Sequence, residues 1–378
     1  MKRFLAMLLA AIVVVGIAAT SDRMGSGHRT DGLYYAASGI HPDAKLLKIN
    51  DKPVSAEEYL YWLAYDCEYL TTYSSDLDWD SEVSEGMTYA QYAKTDALEA
   101  VKLYAIVRQW ASEAGITLTE EDLADLENER QQYVDYYGGE EAYARQIELL
   151  GVSNETYNDI NSVYFLYAAV LQAFCDPNSS LYPGEDAVNS FASDNNYVTV
   201  KLLYLPTVGI DNKVGISAQK NTAKKYAQQL REAKDVNKVY QKLAKKLGME
   251  ESDYPEEGLT FSTDNASVDA KLAKAINKLK VGEVSGVISC DNGFYVAVRT
   301  ELDQATVLNA FFEATLQQEQ ESAKVIFNDK LYDAIVVGDF YDQLLQARSE
   351  RQQEFAAADG ETADEGQGDK PETETSGD

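Results

Sequence analysis

The side chains in this 378-residue sequence that bear most directly on chemistry are two histidines, three cysteines and a surplus of carboxylates. A histidine can act as a general base or a zinc ligand. His28 and His41 both fall in a polar stretch ahead of the first expected regular element. The folded body therefore has no histidine with which to build a Ser-His-Asp triad, a histidine-ligated zinc site or a histidine general base. Cys67, Cys175 and Cys290 stand far apart, with no CxxC spacing. They read as buried free thiols, or, in an exported chain, as a Cys67–Cys175 disulfide with Cys290 left over. No glycine-rich phosphate loop, paired-carboxylate site or metal motif stands out, so no cofactor and no metal are expected. The 63 acidic residues outnumber the 33 basic ones, for a net charge of −30. A surface this negative repels nucleic acid and anionic headgroups, which argues against nucleic-acid binding.

Both ends differ in character from the body. Lys2 and Arg3 precede an unbroken apolar or small run from Phe4 to Ala19. That is the pattern of an export signal, and it is short for a membrane span of about 20 residues. Gly16 and Ala18 could occupy the −3 and −1 positions of a cleavage site. The alternative is an uncleaved anchor that tethers the chain to a membrane through residues 4–19. No cysteine follows the run, so lipid attachment is not expected. Residues 1–20 are read as signal peptide or signal anchor and residues 21–44 as a linker. The protein is expected outside the cytoplasm, secreted or membrane-anchored, and not as a lipoprotein. Residues 353–378, rich in Ala, Gly, Glu, Asp and Thr, have too little apolar bulk to offset the entropy of ordering and read as a disordered acidic tail.

Between the ends, hydrophobic periodicity divides the chain. Lys45 to Ile49 reads as a short strand, and Asn50-Asp51 as a turn. Ser55 caps a helix, with Glu58 completing a capping box. Along that helix Tyr59, Trp62, Tyr65, Tyr69 and Tyr73 recur every three or four residues. The stripe is either a core face or a cleft for client chains, in which Tyr59, Trp62 and Tyr69 would make the contacts. Further helices follow from Tyr89, Thr119, Glu140 and Ser153, with glycines 115, 138 and 151 at their ends. Residues 45–195 are thus a helical N-terminal domain.

The pattern changes at Tyr197. Val198 to Leu205 is a buried strand, and Lys220 to Leu247 a basic amphipathic helix broken near Asp235. A loop over 253–262 precedes a helix over 268–279. A turn and strand over 282–287 come next, and Asp291-Asn292-Gly293 turns into a last strand, Phe294 to Arg299. The order β-α-loop-α-β-β defines a domain over residues 196–302. It carries 16 Lys/Arg against 13 Asp/Glu, near-neutral inside an acidic chain. Residues 303–352 are expected as a helix over 307–329, a short strand at 334–337 and a final helix, packing on the N-terminal domain. The fold class is α+β.

Several segments resemble a known family. Val281-Gly282-Glu283-Val284-Ser285-Gly286-Val287-Ile288, followed by Asp291-Asn292-Gly293-Phe294-Tyr295-Val296, resembles the ending of the parvulin (PpiC, rotamase) peptidyl-prolyl isomerases. Tyr197 to Leu205 is similar to their opening strand, and Glu257 to Phe261 is a distant relative of their glycine-rich loop. Ile49 to Ser55 with Glu57 and Tyr59, and Ala114 to Glu121, are similar to junctions in PrsA/SurA-like extracytoplasmic foldases. The resemblance covers about residues 45–345. It implies a helical chaperone-like (SurA-N-like) domain with an inserted parvulin-like domain.

The resemblance also implies a site. Its proline pocket falls on Leu259, Phe261, Val268 and Leu272, with Cys290 near a family Ser or Thr. The two histidine positions fall on Leu202 and Tyr295, so both histidines are absent. The same apolar residues also suit an ordinary core. Prolyl isomerisation needs no nucleophile or metal: a barrier of about 20 kcal/mol from amide resonance is lowered by holding the twisted amide. The implied function is a foldase or chaperone that binds unfolded or proline-containing exported polypeptides, with catalysis weak or lost. The alternatives are an active isomerase with a histidine-free pocket, and an envelope scaffold for one dedicated partner.

Overall fold

The computed structural model describes residues 32–72, 74, 77–207 and 215–365. The signal segment 1–20, His28, Tyr73 and the end of the tail lie outside them. The described residues divide into two compact units. One runs to Val170 and resumes at Leu316; the other is Leu171–Thr315.

The first unit opens with α1 (Gly32–Ser38), which corrects the expectation of a linker over 21–44. Leu33, Tyr34 and Ala37 fall on one face of it and are buried, and the Tyr34 ring packs 6.2 Å from that of Phe340. Strands β1 (Lys45–Ile49) and β2 (Lys52–Ser55) form a tight hairpin. Its turn places Asn50 at φ 47° and Asp51 at φ 66°, a conformation these two residue types tolerate better than most.

Helix α2 (Ala56–Thr72) follows, its Glu58 N–H donating to Ser55 Oγ at 3.1 Å. A small hairpin absent from the sequence expectation, β3 (Glu82–Ser84) and β4 (Met87–Thr88), leads into α3 (Tyr89–Ala114). Helices α4 (Glu120–Tyr137), α5 (Glu140–Leu150) and α6 (Asn154–Cys175) complete this stretch. Gly115, Gly138 and Gly151 end α3, α4 and α5 in the left-handed conformation.

The second unit holds α7 (Glu185–Asp194), β5 (Tyr197–Pro206), α8 (Ile216–Arg231) and α9 (Val236–Leu247). The break between α8 and α9 falls where the sequence places it: Asp235 caps α9 by accepting from Lys238 N–H. Then come β6 (Leu259–Ser262), α10 (Ala270–Ile276), β7 (Ile288–Ser289) and β8 (Gly293–Arg299). The four strands form an antiparallel sheet in the order β6-β5-β8-β7.

Helix α11 (Gln304–Ser322) carries the chain back to the first unit. There β9 (Val325–Phe327) pairs with β1, which becomes the middle strand of three. The strand expected at 334–337 is not formed. Its apolar residues Ile335 and Val337 are instead buried where α12 (Asp329–Tyr332) hands over to α13 (Val337–Glu365). Helix α13 also corrects the expected disorder over residues 353–365. Arg145 donates to both carboxylate oxygens of Asp359 at 3.0 Å and lies over the Phe355 ring. Architecture and sheets make this an α+β fold.

Candidate functional site

The alternation of β5 sends its side chains to two different cores. Leu203 and Leu205 point one way with Phe294, Val296 and Val298 of β8, and are covered by α8 and α9 through Tyr226, Leu230, Tyr240 and Leu243. Val198, Val200 and Leu202 point the other way with Tyr295 and Ala297. Cross-strand register sets this second face. Val198 lies opposite Phe261, Val200 opposite Leu259, Leu202 opposite Ala297, and Tyr204 opposite Tyr295.

Helix α10 covers part of the second face with Leu272 and Ile276, joined by Ile288 and Cys290. The residues singled out from the sequence therefore do meet. Leu202, Phe261, Val268, Leu272, Cys290 and Tyr295 belong to one cluster, and Leu259 joins their face by register. Their exposure differs. Leu272 and Cys290 are buried and act as its floor, while Leu202, Leu259, Phe261, Val268 and Tyr295 are half-buried.

Strand β6 pairs with only the first half of β5, Tyr197–Val200. Beyond it the β5 edge is satisfied by a side chain: the Leu202 N–H donates to the Tyr240 hydroxyl at 3.2 Å. Tyr240 is fully buried, and burial pushes its phenol up to about 12. Leu202 is thus held from behind, with its side chain facing the open side.

The polar atoms near the face are few. Asp269 caps α10, accepting from Lys271 N–H at 2.7 Å and Leu272 N–H at 3.3 Å. These bonds hold its carboxyl below the usual carboxylate range. Burial, with a hydrogen bond to Asp269, raises the Cys290 thiol to about 11. The Tyr295 hydroxyl accepts from Asn292 Nδ2 at 2.8 Å, and the Tyr204 hydroxyl donates to the Asn292 carbonyl at 3.0 Å. Burial raises the Tyr295 phenol above its ordinary value. Among the described residues no group of three or more His, Cys, Asp or Glu is placed to hold a metal ion.

Register sets how the two positions implied for histidine stand to each other. Leu202 is not the cross-strand partner of Tyr295; it is the diagonal neighbour, and Tyr204 stands directly across. Sequence reasoning missed Tyr204, Asn292 and Asp269. The alternation of β5, which puts Tyr204 on the same face as Leu202, is the signal that could have found it; the pairing of Gly293 with Pro206 is set by the fold.

The aromatic stripe of α2 divides in the same way. Tyr59 and Trp62 are fully buried among core residues, which corrects their assignment to a client cleft. The Tyr59 hydroxyl donates to the Lys94 carbonyl at 3.2 Å, and Trp62 packs edge-on against Tyr104. Tyr69 is exposed. All three cysteines are free thiols.

Comparison with known proteins places a family on the second unit. The profile of the PPIC-type PPIase domain matches residues 212–314, which begins after β5 and ends within α11. No curated protein sequence matches the chain. Among solved structures, the foldase protein PrsA from Lactococcus lactis is 13% identical, with 80% of this chain and 99% of that one covered at a TM-score of 0.29. PrsA from Bacillus subtilis is 13% identical, covering 73% and 93% at 0.25. A SurA-like chaperone from Campylobacter jejuni is also 13% identical, covering 75% and 99% at 0.21.

Proposed function

We propose that this chain, which carries a parvulin-type PPIC PPIase domain, is an extracytoplasmic foldase that binds unfolded exported polypeptides, with prolyl isomerisation weak or lost. In this reading residues 196–302 are a parvulin-like module inserted between helical segments 45–195 and 303–352. The run Phe4 to Ala19 directs the chain out of the cytoplasm and leaves it secreted or tethered.

The observation that carries the reading is the face built on β5 and β8. Five half-buried apolar or aromatic residues lie over a buried floor, with Leu202 and Tyr295 where the family resemblance implies histidines and Tyr204 directly across from Tyr295. Such a surface suits a proline ring or another small apolar side chain. It lacks a group that changes charge near neutral pH, so it favours holding over proton-coupled tuning of an amide.

The Tyr295 hydroxyl favours a second reading, an active isomerase with a histidine-free pocket, because it can donate to the carbonyl of a twisting prolyl bond.

One experiment separates the two. The full chain is assayed in a protease-free prolyl isomerase assay and, in parallel, for suppression of aggregation of a reduced, unfolding client. Client protection with negligible acceleration supports the foldase reading. Strong acceleration that is lost in Tyr295→Phe supports the isomerase. Neither effect at large molar excess overturns both.

A further inference from the structure

A second surface, in the helical unit, has the features of a binding site. Helix α4 has 18 residues, of which Val134 alone is buried, yet it carries Leu123 at 53% exposure beside Leu126, Arg130 and Tyr133. These residues form one wall of a groove of about 240 Å³; Tyr143 of α5 and Tyr157 and Asn161 of α6 form the rest. The volume is below the range of about 300–1,000 Å³ for drug-sized ligands and suits one or two side chains of a longer ligand.

The charges in the wall are unequal in kind. Arg130 is fully engaged: it donates to Glu127 at 3.0 and 2.9 Å and to Glu140 at 2.7 and 2.8 Å. Glu129 lines the same groove half-buried, and no cation pairs with it among the described residues. Asp125, one turn earlier on the helix, adds a like charge, and Glu120, Glu121 and Asp122 continue the sign through the first turn. The groove thus offers aromatic and aliphatic walls with an uncompensated negative charge at the side. That combination complements a cation next to an apolar group.

We infer that the α4–α5–α6 groove captures an extended segment of unfolded polypeptide in which a lysine or arginine adjoins an aliphatic or aromatic residue. The apolar side chain enters between Tyr133, Tyr143 and Tyr157, and the cation pairs with Glu129. This rests on the foldase reading and gives that activity a preferred client chemistry: basic, apolar segments for a protein of net charge −30.

The test measures fluorescence anisotropy of two labelled peptides titrated with the full chain. One alternates lysine with leucine and tyrosine; the other has glutamate in place of lysine. The lysine peptide is expected to bind about tenfold or more tightly, and to weaken as salt is raised toward about 0.5 M. Glu129→Lys removes that preference, and Leu126→Asp weakens both peptides, with circular dichroism unchanged. Glu120→Lys, on the same helix outside the groove, retains it.

Equal binding of the two peptides, or unchanged binding by Glu129→Lys, overturns the inference. If client protection survives such a result, the foldase reading stands and only the groove falls. A wild-type chain that protects no client and binds neither peptide removes both.

Discussion

Tyr204 and Tyr295 face each other across β5 and β8 with ring centroids 4.9 Å apart, and Asn292 fastens both hydroxyls, one through its backbone carbonyl and one through its side-chain amide. The groups around this pair keep their charge state through the neutral range. Burial raises the Tyr295 phenol and the Cys290 thiol, the latter to about 11, while backbone donors hold Asp269 low. Any prolyl isomerase activity of the full chain is therefore expected to be flat between about pH 5 and 8, the window in which a histidine would titrate. Initial rates at several pH values check this, and a step near pH 6.5 would contradict the assignment.

Gly293 is the position that allows the pair to close. A Cβ there would lie 2.5 Å from the Leu205 carbonyl oxygen and 2.6 Å from Tyr204 Cε2. Gly293→Ala is expected to cost about 1–3 kcal/mol through overpacking against backbone that cannot yield easily. Urea titration reports the loss, and near-ultraviolet circular dichroism reports the displaced tyrosine. An unchanged midpoint would mean that the turn relaxes freely.

Asp66 of α2 is buried and hydrogen-bonded to Asp96 of α3, and burial together with the Asp96 charge raises its carboxyl to about 9. The folded state thus keeps a proton that the unfolded chain gives up above the ordinary aspartate value. Stability from this source is present at low pH and falls as pH rises through the interval up to about 9, at a limiting slope of about 1.4 kcal/mol per pH unit for one proton. Asp66→Asn is expected to flatten the decline. Urea midpoints at about pH 5 and 8 for both proteins measure it, and parallel declines would show that other groups dominate.

Glu57 is a buried carboxylate that accepts from Ser153 N–H at 2.7 Å, Ser153 Oγ at 2.9 Å and Thr156 Oγ1 at 2.6 Å, linking α2 to the start of α6. Glu57→Ala leaves these donors without their acceptor. A loss of about 2–4 kcal/mol is expected, the range for orphaned buried polar groups in a charged network. Ser153→Ala, which also removes the helix cap, should lose less when combined with Glu57→Ala than the single changes predict. Additive losses would mean that the two residues act independently.

Local signals were legible in the sequence. The Asn50-Asp51 turn, the Ser55 and Ser153 caps, the glycine stops and the break at Asp235 each depend on a few neighbouring residues, and each stands where those residues put it. What depended on distant partners was harder to read. Residues 353–365 are poor in apolar bulk, and nothing nearby announces that Arg145 will hold Asp359. The short strand moved to Val325–Phe327 because β1 offers an edge there, which no local propensity records. At the site, residue types led to the right face, but pairing needed the register. Leu202 and Tyr204 share that face, and only the count from Gly293 decides which one meets Tyr295. The α4 groove was not read at all, since its lining comes from three helices whose packing the sequence does not state.

The division of the chain has a consequence for how the molecule is made. Glu68 and Arg348 form an ion pair although 280 residues separate them, and β1 waits for β9 across a similar interval. Leu171–Thr315 is continuous and can be completed as soon as it emerges. The other unit cannot close until its second segment, from Leu316 on, is present. Until then Leu46, Leu47 and Ile49 lack the neighbouring strand that completes their sheet. Until its two ends meet, the chain exposes the kind of apolar strand edge that the finished fold hides.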